Sequence, residues 1–156
     1  SNKGEVLKSN TVSNLQKDSI VSQMDIDLES RVTKSSIMML EMLRSNHWKR
    51  PMYVAMTVGD EYFPKSISNY VERTGLANHI VPVKNRNAED ANVNVDQMYN
   101  NVMTKFKFGG IENPKVYIDE NIMRMCHTHR MIFADLVEAL LNKGDTERAK
   151  KALLYC

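Results

Sequence analysis

The stretch HWKRPMYVAMTV, residues 47–58, decides how the rest of the chain is read. The single tryptophan stands among His47, Lys49 and Arg50, Pro51 follows, and the chain then turns almost wholly apolar. Pro51 cannot continue a helix and pushes the residue before it toward extended backbone, so MYVAMTV reads as a strand. Being apolar nearly throughout, it has the pattern of a strand covered on both faces, the habit of parallel sheets.

Upstream of it, Ser35 or Ser36 is a candidate cap for a helix in which Ile37, Leu40 and Leu43 or Arg44 recur at helical spacing. SNHWKR ends that helix. MDIDL, Met24–Leu28, alternates apolar and polar as a half-buried strand does. Residues 1–23 are polar and aperiodic and read as an arm or linker, with Ser1-Asn2 expected to be a tag remnant.

Downstream, Ile67, Tyr70 and Val71 fall on one helical face, Gly75 sits where a left-handed cap would end that helix, and HIVPV, His79–Val83, follows as a short strand. Strand, helix, strand, helix, strand, with helical crossovers, makes parallel right-handed pairing the economical topology. The expected fold is α/β, a small mostly parallel sheet of three strands, or four, with flanking helices.

Lys84–Asn94 is a surface loop by composition. A helix bounded by Asn94 and Gly109-Gly110 carries Val95, Met98, Val102 and Phe106 as its stripe. Asp119 then caps a long helix with Ile122, Met125, Phe133, Leu136 and Leu140, Gly144 breaks it, and Thr146–Leu154 returns Ala149, Ala152 and Leu153 toward it. Phe133, Leu136, Leu140, Gly144, Ala149 and Leu153 are spaced as in a tetratricopeptide-type unit, although Val137 stands where that repeat prefers glycine and one copy is present. The hairpin is either a lone one packed on the α/β part or the first unit of an array cut at Cys156. The expected organisation is an arm over 1–23, an α/β part over 24–118 and a helical hairpin over 119–156, one domain in all.

The length, 156 residues, suits one domain with a real core, and 42% apolar with 26% charged residues is ordinary globular composition. Lys plus Arg exceed Asp plus Glu by 21 to 19, too little for a nucleic-acid footprint, so no nucleic-acid partner is expected. No apolar run approaches the roughly 18–20 residues that span a bilayer. Cys126 and Cys156 make neither a disulfide framework nor a CxxC site.

Candidate chemistry is sparse. His127 and His129 lie two apart on a helix and so point roughly 200° apart, which argues against a shared metal; Glu120, Arg124, His127 and Arg130 read as a solvated face or as polar contacts to the other half. Asp60 and Glu61, in GDEYFPKS after the best strand, stand where open α/β sheets place ligand sites. Either they are turn residues, or one has a raised pKa suited to acid–base work, with Tyr62 and Lys65 as helpers. Phe106, Phe108 and Tyr117 near Lys105 and Lys107 could stack on a base or sugar, or simply close a helix end. GxGxxG, GxxxxGK[ST], GxSxG and HExxH are absent, so neither a cofactor nor a metal is expected. The eleven methionines read first as core filling and second as an adaptable surface.

Five runs, VTKSSIMMLEML, NHWKRPMYVAMTV, YVERTGLANHIVPV, MYNNVMTKFKFGGIENPKVYIDENIMRM and FADLVEALLNKGDTERAKKALLYC, carry a family resemblance over Met24–Cys156. They resemble the C-terminal soluble region of large multi-pass membrane proteins of Bacteroidota, whose N-terminal membrane domain is similar to protein O-mannosyltransferases. The most specific parts are W-K-R-P-hydrophobic-Y, E-R-T-G-L-A, and K-F-K-F-G-G with Y-I-D-E-N.

The resemblance implies a segment on the periplasmic face of the inner membrane, joined to a glycosyltransferase-like membrane domain. In that membrane class the catalytic acid is expected in a loop near the first spans, which these residues do not include. No catalytic residue carries over, and the chain is expected to be a non-catalytic accessory domain. Its expected partners are its own membrane domain and an acceptor protein or envelope component. The alternative is a sugar-phosphate site or enzyme at the carboxyl edge of the sheet, with Trp48, Arg50, Asp60 and Glu61 as ligand-binding residues. In the structural reading Trp48 packs on the strand edge or the preceding helix and Lys49 stays in solvent; in the other, Trp48 and Arg50 form an apolar and cationic platform.

Overall fold

Pro51 does start a strand, but a short one at the edge of an antiparallel sheet. The computed structural model describes residues 3–9, 11–12, 14–28, 32–58, 64–84 and 92–156. Its elements are α1 (Lys3–Lys8), α2 (Lys34–Asn46), β1 (Met52–Ala55), β2 (Val71–Arg73), β3 (Ala77–Ile80), α3 (Val95–Asn100), α4 (Glu120–Asn142) and α5 (Thr146–Tyr155). Short 3-10 segments cover Asn14–Ser19 and Lys65–Tyr70, and a π segment, Asn101–Lys105, continues α3.

The parallel sheet expected from the element order is overturned. The three strands run in the order β1-β3-β2, and β1 pairs β3 antiparallel with Met52 opposite Ile80, Tyr53 opposite His79, and Ala55 opposite Ala77. The cause lies at Val71–Arg73, which periodicity joined to the preceding helix. That helix is a 3-10 segment ending at Tyr70, and β2 turns back into β3 through Thr74–Leu76. Three residues can join only antiparallel neighbours, since a parallel pair needs a crossover of a dozen or more. Gly75, at φ 136°, sits in this turn rather than at a helix end.

Two further readings are corrected. MYVAMTV is strand only over Met52–Ala55, where Met52 and Val54 are half-buried while Tyr53 and Ala55 are exposed, so one face is open rather than both covered. Met24–Leu28 lies outside the sheet; Met24 and Ile26 are partly buried and Asp25 and Asp27 exposed, as its alternation implied, but Leu28, on the same face by that alternation, is exposed.

The chain forms two compact units. The first comprises Ser1–Glu72 and Ala77–Asn92. Its core gathers Val6 of α1, Val12, Val81 and Val83, with Ile20 and Trp48 packed against them. The segment read as an arm therefore contributes two buried valines. Ile20 bridges Val83, the Val21 N–H donates to the Pro82 carbonyl at 2.9 Å, and the buried Tyr70 hydroxyl accepts from the Asp25 N–H at 2.9 Å. The buried Glu72 carboxylate accepts from the Gln16 amide. Thr33, not Ser35 or Ser36, caps α2 by accepting from the Ser36 N–H at 3.2 Å.

The second unit comprises Arg73–Leu76 and Val93–Cys156. Asn94 caps α3 and Asp119 caps α4, as their positions predict, and Gly144 at φ 77° ends the α4 turn region. Val95, Met98 and Val102 are buried with Ile132, Phe133, Leu136, Leu140, Ala149 and Ala152. Ile122 and Met125 at the start of α4 are exposed, and so is Leu153, so α5 turns its two alanines rather than that leucine toward α4.

Candidate functional site

A helix that must stop before a proline has little room to do so, and here the stop is made by two successive left-handed residues. His47 has φ 48° and ψ 30°, and Trp48 has φ 61°. A non-glycine residue with positive φ is uncommon and, for a bulky side chain, costs of order 1–3 kcal/mol, persisting where surrounding contacts over-determine it. Those contacts are present. The Lys49 N–H donates to the Asn46 carbonyl at 2.9 Å, the Asn46 amide donates to the Arg50 carbonyl at 2.7 Å, and the His47 Nδ1 donates to the Ser45 carbonyl at 2.8 Å.

This turn sends the indole inward over the Val6, Val12, Val81, Val83 cluster while leaving it only partly covered. The open part faces a cleft of about 670 Å³ within the first unit. Its apolar walls come from Ile20, Met24 and Ile26 on one side and from Leu40 and Leu43 of α2, and Lys3 and Arg44 bring positive charge to it. Arg44 is held by Glu41 at 2.8 and 2.7 Å, and those hydrogen bonds push the Glu41 carboxyl below, and the guanidinium above, their ordinary values. Both groups are exposed, so the pair adds little stability.

The volume lies within the roughly 300–1,000 Å³ of ligand sites, and the lining is mixed, with Lys3, Ser22, Gln23 and Arg44 among the apolar side chains. Such a cleft can take an apolar or aromatic side chain of a bound segment against the indole, with Lys3 at its rim free to meet an acid or a carbonyl.

The structure separates the residues that the sequence grouped. Trp48 lines the cleft, whereas Arg50 is exposed and lines a different, shallow depression with Met42, Asn46, Lys49, Pro51 and Met52. Trp48 thus packs on the core and beside the preceding helix, Lys49 is exposed, and the two do not form one platform with Arg50. Asp60, Glu61 and Tyr62 lie outside the described residues. Lys3, Val6 and Ile20 were missed because their segment was read as an arm. The alternation of Met24 and Ile26 was the one signal that pointed at this wall.

Elsewhere the aromatic residues have structural partners. Phe106 and Phe108 pack edge-on against His129, with centroids at 5.8 Å, and Phe108 reaches Phe133 and Tyr155, while Tyr117 stands 86% exposed away from them. His127 is exposed, and the His129 Nδ1 meets the Met125 carbonyl at 2.8 Å. Among the described residues, no three His, Cys, Asp or Glu side chains are grouped as metal ligands would be. No described helix is long and apolar enough to cross a membrane.

A family model described as TMEM260-associated domain 2 matches residues 1–98. No curated protein and no solved structure matches the chain. The match takes in every residue of the Trp48 cleft, from Lys3 to Pro82, and fits an accessory domain of a TMEM260-like, O-mannosyltransferase-related membrane protein. Because it spans more than half of the chain, the chain belongs to the TMEM260-associated domain 2 family.

Proposed function

We propose that this chain is a non-catalytic accessory domain with which a membrane glycosyltransferase-like parent holds an acceptor polypeptide or an envelope component. It stands on the periplasmic face of the inner membrane in a member of the Bacteroidota, beside the parent's own membrane domain. The compartment and source rest on the resemblance of the five runs, and the accessory role rests also on the family match. The observation that carries recognition is Trp48. Its positive φ places a partly open indole in a cleft of ligand size with mixed apolar and polar walls, and strain of that kind clusters at functional sites. The argument for a sugar-phosphate site at the carboxyl edge of a parallel sheet falls with that sheet.

The test is mass-spectrometric profiling of glycoproteins in cells whose full-length parent carries Met24→Glu or Trp48→Phe, with parent abundance in the membrane measured alongside. Met24→Glu puts a charge on the cleft wall without touching the buried valines, and Trp48→Phe keeps an aromatic ring on them. Glycan attachment is expected to fall while the parent persists. Unchanged profiles at normal parent abundance overturn the reading.

A further inference from the structure

The side of α2 turned away from the Trp48 cleft carries exposed methionines among polar residues. Leu40 and Leu43 face the cleft, whereas Met38 and Met42, on the opposite side of the helix, are 66% and 58% exposed. Met38 and Met42 lie one turn apart and form a continuous ridge. That ridge runs on into the depression formed by Met42, Lys49, Arg50, Pro51 and Met52. A contiguous exposed apolar surface of this kind marks an interaction site rather than ordinary surface.

Its charge says what it meets. Between Val32 and Tyr53 the cations are Lys34, Arg44, Lys49 and Arg50, and the one acid is Glu41, already bound by Arg44. Lys34, Lys49 and Arg50 are exposed and have no carboxylate partner among the described residues. Cations therefore flank both ends of the Met38, Met42 ridge. An exposed apolar ridge edged by basic side chains is attracted to an anionic membrane interface, the apolar groups entering between headgroups and the cations meeting phosphates. Methionine suits it further, since an unbranched, polarisable side chain adapts to a fluid surface instead of a fixed shape.

We propose that the outer face of α2, with Lys49 and Arg50, docks on an anionic phospholipid surface. Met38 and Met42 enter the headgroup layer, and Lys34, Lys49 and Arg50 meet lipid phosphates. The docking face and the cleft lie on opposite sides of one helix, so loss of lipid binding leaves the cleft reading intact and the two can fail separately.

The experiment is sedimentation of the whole chain with vesicles of phosphatidylcholine alone and with one-third phosphatidylglycerol, at low and high salt. Sedimentation velocity without lipid is run in parallel. Binding is expected to the anionic vesicles, to weaken with salt, and to fall at least about tenfold in Lys49→Gln/Arg50→Gln, since each cation near an anionic surface is worth about fivefold. Met38→Ser/Met42→Ser is expected to bind several-fold more weakly with an unchanged thermal midpoint, which separates lost docking from lost folding. Absence of binding to anionic vesicles overturns the proposal. So does equal binding to both vesicle types, or binding unchanged in both variants. Reversible self-association that the Met38→Ser/Met42→Ser variant abolishes, with no lipid binding, assigns the face to a second copy instead.

Discussion

At the scale of single residues, the positive φ of His47 and Trp48 is separable into a removable part and a functional part. His47 is exposed and its ring contact is local, so glycine there loses little and relieves the left-handed strain. His47→Gly is expected to raise stability by about 0.5–1 kcal/mol, read as a higher urea midpoint with an unchanged slope. His79 behaves differently. It is 3% exposed, its ring stacks on Tyr53 at 4.5 Å, and its Nε2 has no hydrogen-bond partner among the described residues, so burial pushes it down to about 4 from 6.5. Between those two values the unfolded chain binds more protons than the folded one, so stability falls as pH drops from about 6.5 toward about 4. The shift sets an upper scale of about 3 kcal/mol for that loss. His79→Phe keeps a ring against Tyr53 and is expected to flatten the dependence, checked by urea unfolding at the two ends of the window.

At the scale of elements, the β2–β3 turn tolerates little at Gly75. A Cβ at Gly75 would meet the Phe106 ring at 3.2 Å in a backbone at φ 136° that other residues rarely adopt. Gly75→Ala is therefore expected to destabilise by about 1–3 kcal/mol, through strain and through displacement of Phe106 from His129. Thermal unfolding followed by far-ultraviolet circular dichroism measures it. The capped ends of the second unit rest on local contacts instead. Asp145 accepts from the Arg148 N–H at 3.0 Å and from its guanidinium, which hold the carboxyl below its usual range, and Arg148 also reaches Asp96 at 2.7 Å.

At the scale of the molecule, the sequence order and the compact units do not coincide. The second unit borrows Arg73–Leu76 from the middle of the first. Through that piece the Asn94 N–H donates to the Arg73 carbonyl at 3.0 Å, the Asn101 amide to the Thr74 carbonyl at 2.8 Å, and the Arg73 guanidinium pairs with Asp135. A fragment over 93–156 loses all of these partners. At about 1 kcal/mol for each lost hydrogen bond, amide exchange in α4 is expected to quicken at least about tenfold over the whole chain. Equal protection of α4 in the fragment and the chain would show the borrowed piece to be dispensable.

What the sequence determined alone is what contacts within a few residues determine. The caps at Asn94 and Asp119, the stop at Gly144, the strand start after Pro51 and the stripe of Val95, Met98 and Val102 follow from spacing and backbone preference. Sheet direction did not follow, because Val71–Arg73 fits a helical face by periodicity and becomes a strand only when Ala77–Ile80 folds back on it. The cleft did not follow either, because its walls are drawn from Lys3, Ile20, Met24, Leu40, Trp48 and Pro82, far apart along the chain. A polar, aperiodic segment carries no sign that Val6 and Val12 will be buried by Val81 and Val83. Burial of that kind is a property of pairs distant in sequence, and only tertiary packing decides it.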